Sequence, residues 1–340
     1  MSPLQTRRLG KDGPQVPALG FGAMGLSFSY GKVDENEARL AVLDRALELG
    51  TTFWDTSDVY LDNEDLLRLW FERTGKRDQI FLATKFGVTK DAEGNFCIRS
   101  DPEYVIQACE TSLKRLGVDY IDLYYAHRVD MKTPIEKTVA AMAELKKKGK
   151  IGAIGLSEVS AATIRRAHAT HPINAVQLEY SPFSLDIESP SIDILRTCRE
   201  LGISVVAYSP LGRGFLTGQI KSPDDFEEGD FRKNAPKYSK ENFPKNLRLV
   251  EKLQEFAASK GCSSGQLTLA WLLAQGDDII PIPGTKKIKY LEENVGAIDV
   301  KLTPEEVRQI REEIEKVEVI GDRYSSKLQP FSFADTPELG

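Results

Sequence analysis

The chain has 340 residues, 41% of them hydrophobic and 28% charged, with a formal net charge of −6. That length is ample for a sizeable core, and the composition is that of an ordinary soluble globular protein. The acidic balance gives no electrostatic case for binding nucleic acid or an anionic membrane, and no apolar run is long enough to span a bilayer.

The first ten residues, Met1 to Gly10, contain no apolar leader core, and Pro337 to Gly340 form no peroxisomal or retention signal. Cys97, Cys109, Cys198 and Cys262 are widely spaced, with no CxxC and no histidine beside them in sequence. They are expected to be unpaired thiols in a reducing compartment, not a disulfide or zinc framework. The default expectation is a cytoplasmic enzyme with a small-molecule partner and no metal.

In chain order, residues 5–17 predict a β-hairpin, with turn chemistry at Gly10 and Gly13. Strand-like runs follow at 18–22, 52–55, 79–84, 120–125, 150–156, 174–178, 203–207 and 278–282. Amphipathic helical patterns lie near 35–49, 62–74, 102–116, 133–148, 160–170, 190–201, 246–275 and 287–297. Their ends carry local signals. Asp101-Pro102 reads as an N-cap followed by proline in the first turn, and Gly117 follows the last turn. Lys146-Lys147-Lys148-Gly149 places cations at the negative end of a helix dipole, so this basic run reads as a solvated helix end.

Eight strand–helix repeats without long Pro/Ser-rich linkers fit a closed parallel barrel or a doubly wound open sheet. Near-even strand spacing, and polar candidates that all follow strand ends, favour the α/β class as a (β/α)8 TIM barrel in a single domain over 1–340. The hairpin is expected to plug its floor. Residues 211–245 are predicted as a long loop after strand 7, and 303–340 as an extra helix opened by Thr303-Pro304-Glu305-Glu306 plus an irregular tail.

Gly20-Phe21-Gly22-Ala23-Met24-Gly25 matches GxGxxG after a strand. A dinucleotide-binding Rossmann turn would carry its third glycine into a helix, yet here the next helix pattern begins only near Asp34. The motif is therefore rejected, and its glycines are expected to let the backbone approach a bound ring closely.

Asp55, Tyr60, Lys85 and His127 follow three successive strand runs. They converge only if those strands lie side by side and parallel. An ammonium close to a phenol favours the phenolate and lowers its pKa, and a carboxylate beside the lysine keeps that ammonium charged in a poorly solvated place. Pulling a phenol from about 10 toward 7 takes about 4 kcal/mol. His127 would orient a carbonyl oxygen or share the proton. This set is a general acid–base device with no covalent nucleophile and no metal ligands. His168 and His171, beside Pro172 at a helix end, read as structural.

Phe53-Trp54-Asp55-Thr56-Ser57-Asp58-Val59-Tyr60, Ala83-Thr84-Lys85 and the run Leu113 to Asp130 around His127 together resemble the aldo-keto reductase superfamily over nearly the whole chain. That resemblance implies a barrel binding NADP(H) in extended form, and hydride delivery to an aldehyde or ketone. It also implies Tyr60 as proton donor, Lys85 and Asp55 as its tuners and His127 as the residue orienting the carbonyl. The branch it is similar to includes pyridoxal reductases and auxin-induced-type reductases, which fixes no substrate.

The resemblance also implies a cofactor site. Gly22, Ala23, Met24 and Asp55 would lie beside the nicotinamide. Ser157, Glu158 and Gln177 resemble its carboxamide contacts, although Glu158 stands where the family more often has Asn and a carboxylate cannot donate to the amide. Tyr208 resembles the stacking ring. Ser209, Pro210, Leu211, Gly212 and Gly214, with Gly218 and Lys221, would surround the pyrophosphate. Pro283, Gly284, Thr285 and Lys286, followed by Glu293 and Asn294, resemble the adenosine end, and Thr285 and Lys286 at a helix start suit a 2′-phosphate. Tyr290 stands where many members carry Arg. Leu61-Asp62-Asn63-Glu64 replaces the usual Gly-x-Gly-x-Asn-Glu and is expected to alter the pocket mouth. Phe28, Tyr30, Trp54, Phe86 and Arg128, with Phe231, Phe331 and Phe333, are expected to line the substrate pocket, whose aromatic walls suit an apolar or aromatic carbonyl compound.

Two other readings compete. Lys85 as the Schiff-base lysine of a barrel aldolase would need a depressed pKa, which Asp55 opposes. A reductase-like regulatory subunit that keeps the cofactor would show tight cofactor binding without turnover.

Overall fold

In the computed structural model the described residues are 4–340, so the first three residues of the segment read for a leader lie outside them. Strands β1 (Thr6–Arg8) and β2 (Gln15–Pro17) pair antiparallel. The loop between them buries Leu9, and β2 buries Val16, against Phe53, Ala83, Leu123, Val206 and Ile280, all inward-facing strand residues. The hairpin thus stops the barrel floor, as expected.

The barrel strands are β3 (Phe21–Gly22), β4 (Phe53–Asp55) and β5 (Phe81–Phe86). After a short antiparallel pair, β6 (Val88–Lys90) and β7 (Phe96–Ile98), come β8 (Ile121–Ala126), β9 (Ile151–Ser157) and β10 (Ala175–Glu179). β11 (Ser204–Tyr208) and β12 (Ile279–Pro281) complete the set. All eight are parallel and ordered β3-β4-β5-β8-β9-β10-β11-β12. The Gly20 N–H donates to Pro281 O at 2.9 Å and the Gly22 N–H to Pro283 O at 3.2 Å, which brings the first strand back to the last. The result is the (β/α)8 architecture. A Cβ on Gly22 would lie 2.8 Å from Ile282 O, and one on Gly284 2.5 Å from Gly22 O. Gly22 and Gly284 therefore serve the close approach of two strands at the seam.

Helices α1 (Asn36–Glu48), α2 (Asn63–Thr74), α3 (Pro102–Leu116), α4 (Ile135–Lys147) and α5 (Ala161–Thr170) alternate with the strands. α6 (Ile194–Leu201) starts four residues later than its pattern began, because Asp193 takes a left-handed φ of 56° at the N-cap. The continuous helix expected over 246–275 is two helices, α7 (Phe243–Lys260) and α8 (Ser264–Leu273). Gly261 ends the first with φ 65°, and a Ser263–Gln266 capping box opens the second. α9 (Ile288–Val295) and α10 (Pro304–Lys316) follow, the latter opened by the expected Thr303–Glu306 capping box. Among the described residues no helix is long and apolar enough to cross a membrane.

Strand alternation sorts the side chains. Phe53 and Asp55 point into the barrel and Trp54 points out; on β5 Ala83 and Lys85 point in while Thr84 and Phe86 point out. Accordingly Trp54 packs on Trp70 of α2 (centroids 4.7 Å apart) and donates its indole N–H to Thr51 O. Phe86 stacks on Tyr124. Both are fully buried between sheet and helices. The sequence-based placement of Trp54 and Phe86 in the substrate pocket is therefore wrong, and strand parity is the reason.

Candidate active site

At the C-terminal mouth of the barrel the inward positions of neighbouring strands converge. Lys85 is fully buried, and its Nζ donates to Asp55 Oδ1 at 2.6 Å and to Thr56 O at 2.6 Å, with the Tyr60 hydroxyl at 3.4 Å. The second Asp55 oxygen accepts from Gln177 Nε2 at 2.7 Å. Tyr60 stands edge-on to His127, centroids 5.8 Å apart, and under the ring of Phe28. The four residues expected to meet do meet.

The electrostatics depart from the expectation. Burial raises the Tyr60 phenol, and the pull of the Lys85 ammonium does not overcome it, so the phenol lies above its ordinary range. The ammonium is already engaged by Asp55, which itself opposes ionisation of Tyr60. Lys85 loses stability to burial, but Asp55 and Tyr60 outweigh this and hold it protonated. Burial, then Arg128 and Lys85, push His127 well below the usual imidazole range. Burial raises the Asp55 carboxyl against the pull of Lys85 and Gln177. At neutral pH the cluster thus holds a protonated phenol, a lysine ammonium bound by Asp55 and a neutral imidazole.

Ser57 and Asp58 set the imidazole. His127 Nδ1 lies 3.1 Å from Ser57 Oγ, which is 3.2 Å from Asp58 Oδ1. Burial and the neighbouring Glu64 push the Asp58 carboxyl up to about 8, so it holds a proton at neutral pH. Ser57 Oγ is placed to donate to Asp58 Oδ1 or to Lys85 O at 3.3 Å. If a protonated Asp58 donates to Ser57 instead, Ser57 can donate to Nδ1, which leaves Nε2–H as a donor toward the cavity.

A cavity of about 590 Å³ starts at Asp55, Tyr60, His127 and Arg128 and runs along the barrel mouth. Gly22, Met24, Ser157 and Gln177 line its inner part, then Tyr208, Ser209, Pro210, Leu211 and Gly214. Pro283, Gly284, Thr285, Lys286, Glu293 and Asn294 line its far end. Phe28, Tyr30, Phe231 and Phe331 also face it. Lys85 does not; it stands behind Asp55 and Tyr60 with no open face, which leaves no access for a Schiff base.

Five residues expected at a cofactor are placed elsewhere. The Ala23 side chain is buried behind the strand, and its N–H donates to Asp55 O. Gly212 offers its carbonyl to the Tyr238 hydroxyl, backing the turn. Gly218 caps a short helical turn against Gln254, and Lys221 is exposed, with its N–H on Asp225. The Glu158 carboxylate takes both guanidinium nitrogens of Arg323, at 3.1 and 3.0 Å, and the Tyr208 hydroxyl at 2.9 Å. Burial raises Glu158, but Arg323 and Arg128 prevail and keep it ionised. Its place in the fold is to anchor the C-terminal tail.

The tail reaches the cavity through Phe331 as expected, but its anchor was not foreseen from sequence. Arg323 is almost fully buried, Tyr324 and Leu328 line the cavity, and the ring of Phe333 takes the Arg323 cation at 4.5 Å instead of facing the cavity. The one available signal was Glu158 itself, a buried-strand-end carboxylate that needs a cation. The β6–β7 hairpin was missed too. Val88, Phe96 and Ile98 form the outer wall of the mouth, where Phe96 meets Phe331 edge-on. Residues 61–64 do not shape it. Asn63 ties Thr56 to Ala23 and Ser27, Asp62 pairs with Arg39, and Glu64 accepts from Thr84, so this run braces Tyr60 from behind.

One feature of the cavity suits phosphate. The Lys286 ammonium rests on the carbonyls of Tyr30 (2.7 Å) and Lys32 (2.9 Å), neutral partners that leave its charge uncompensated. Arg213, by contrast, pairs through Nη2 with Glu179 at 3.0 Å, and its Nη1, which has no protein acceptor, is buried.

Comparison with known proteins agrees with this geometry. The profile described as "Aldo/keto reductase family" matches residues 18–315. A protein of Schizosaccharomyces pombe named aldo-keto reductase yakc [NADP(+)] is 56% identical over 339 residues, covering 99% of both chains. Aldo-keto reductase str7 of Strobilurus tenacellus is 55% identical over 342 residues, again 99% of each. Among solved structures, the glycerol dehydrogenase AKR11B4 of Gluconobacter oxydans superposes with a TM-score of 0.81 at 25% identity, over 94% of this chain and 98% of that one. The holo form of the Bacillus halodurans aldo-keto reductase AKR11C1 gives 0.73 at 26% identity, over 95% and 99%.

Proposed function

Since the chain belongs to the aldo/keto reductase family, we propose that it reduces aldehydes and ketones to alcohols with NADPH, and that Tyr60 donates the proton. The observation that carries this reading is the protonated Tyr60 hydroxyl, 3.4 Å from a buried ammonium, at the inner end of a cavity whose far end presents an uncompensated lysine.

The residues present suit NADP(H). Ser157 and Gln177 would hold the carboxamide, and the Tyr208 ring the nicotinamide face. Ser209, Pro210, Leu211 and Gly214 would hold the pyrophosphate. Lys286 and Thr285 would take the 2′-phosphate, and Glu293 and Asn294 the adenosine. Bound NADPH supplies the hydride.

The chain's own residues do the remainder. The Nε2–H of His127 donates to the carbonyl oxygen and orients it toward Tyr60. The Tyr60 O–H passes its proton to that oxygen as negative charge develops there. Lys85 stabilises the phenolate that results, and Asp55 keeps Lys85 charged throughout. The phenol is held protonated at neutral pH, the state that proton donation requires. The fully buried, ion-paired Lys85 speaks against an aldolase.

The test is NADPH oxidation at 340 nm across aldehydes, quinones and pyridoxal. Turnover lost on omitting the carbonyl compound is expected. Tight NADPH binding with no turnover on any of them would point instead to a regulatory subunit.

A further inference from the structure

The charged groups around the inner cavity pair off, with one left over. Lys85 has Asp55, Arg213 has Glu179, and Arg323 has Glu158. Arg128 lines the cavity beside Tyr60 and His127 and makes no ion pair among the described residues. Its Nη1 is fixed by His127 O at 2.6 Å and by Ser157 Oγ at 3.3 Å. Nε and Nη2 have no protein acceptor and are not sealed in the protein interior, so they face the cavity. Glu158, the nearest carboxylate that favours its charge, is already held by both nitrogens of Arg323. A guanidinium cannot shed its charge as a buried lysine does, so it keeps an open, planar pair of donors.

Lys286, the phosphate-suited group, lines the same cavity but is held by the carbonyls of Tyr30 and Lys32, whereas Arg128 has the uncharged Ser157 beside it. The mouth on the Arg128 side is apolar, built by Phe28, Val88, Phe96, Ile98, Leu328 and Phe331. A ligand filling this space presents an aromatic or apolar body to those walls, its carbonyl to Tyr60 and His127, and one anionic group to Arg128. We propose that Arg128 is the anion-binding element of the substrate site, and that the preferred substrates are aromatic aldehydes or ketones carrying a carboxylate. This rests on the reductase reading and narrows it. Arg–carboxylate geometry is bidentate, which fixes the substrate's orientation as well as its affinity.

The test compares 3-formylbenzoate and 4-formylbenzoate with their methyl esters, which keep the ring and the aldehyde and lose the charge. Calorimetric titration of the NADP+-loaded protein reads binding, and NADPH oxidation reads turnover. At least one acid is expected to bind ten times more tightly than its ester and to show a correspondingly lower KM. In Arg128→Met the acid-to-ester ratio should fall at least tenfold, and Arg128→Lys should restore part of it. The proposal is overturned if the wild type binds both esters as tightly as the acids, or if Arg128→Met leaves the ratio intact. If Arg128→Met does not fold, the wild-type ratio alone decides. Binding that favours the acids without any turnover would uphold the Arg128 site and refute the reductase reading instead.

Discussion

Replacing Lys286 removes an uncompensated cation at the far end of the cavity, and the structure sets the size of the effect. The ammonium rests on two neutral carbonyls, so no ion pair must break before it meets a phosphate. A unit pair near 4 Å is worth about 1 kcal/mol in water and about 4 kcal/mol at the effective dielectric of a protein surface. Lys286 is half-buried, so screening brings the expectation to about 1–2 kcal/mol, a five- to thirtyfold rise in the NADPH Kd. NADH, which lacks the 2′-phosphate, should lose almost nothing. Lys286 also clasps the loop at residues 30–32, and loosening that clasp would weaken both cofactors alike. Lys286→Gln separates the effects, because the amide still donates to a carbonyl but carries no charge. Fluorescence titration of both variants with NADPH and NADH, at low and high salt, is the assay. The charge argument requires a loss specific to NADPH that shrinks with salt. Equal losses for the two nucleotides in Lys286→Gln would refute it.

Further outcomes follow from the buried charges. Asp58 takes up a proton on folding because its carboxyl is pushed up to about 8, so its contribution to stability falls as pH rises from about 4 to about 8. Asp58→Asn should flatten that slope, read from urea midpoints across this range; an unchanged slope would contradict the protonated-Asp58 chain to His127. Arg323→Met strands the Glu158 carboxylate and should cost about 3–5 kcal/mol, whereas adding Glu158→Gln should recover most of it. A double-mutant cycle by denaturation measures this, and simple additivity would dispose of the tail anchor.

Much of the barrel was legible in the sequence because strand runs, helix caps and turn glycines agree locally. The helix expected over 246–275 failed at Gly261-Cys262-Ser263-Ser264, where a stop and a capping box sit back to back inside one apolar pattern. Convergence of Asp55, Tyr60, Lys85 and His127 was readable from their positions at the ends of adjacent strands. Trp54 and Phe86 were misplaced through attention to residue type over parity: each is one residue from an inward-facing partner, Asp55 or Lys85, and so faces the helices. The tail and the β6–β7 hairpin have no periodic pattern, and what holds Arg323 in place is a carboxylate 165 residues away in sequence. Distances of that kind are set by the closed barrel, which the local sequence does not encode. The phenol's upward shift was missed for a similar reason. Burial of Tyr60 depends on Phe28 and the loop around it, whereas the sequence displayed only the nearby lysine.

The role of Tyr60 is tested most directly by single-turnover reduction of an aldehyde by Tyr60→Phe loaded with NADPH. The substitution deletes one oxygen from a buried ring and leaves the cavity walls in place. A fall of about 10²–10⁴-fold in the hydride-transfer rate is expected, with NADPH affinity largely intact. A rate close to that of the wild type would show that the proton reaches the carbonyl oxygen from elsewhere.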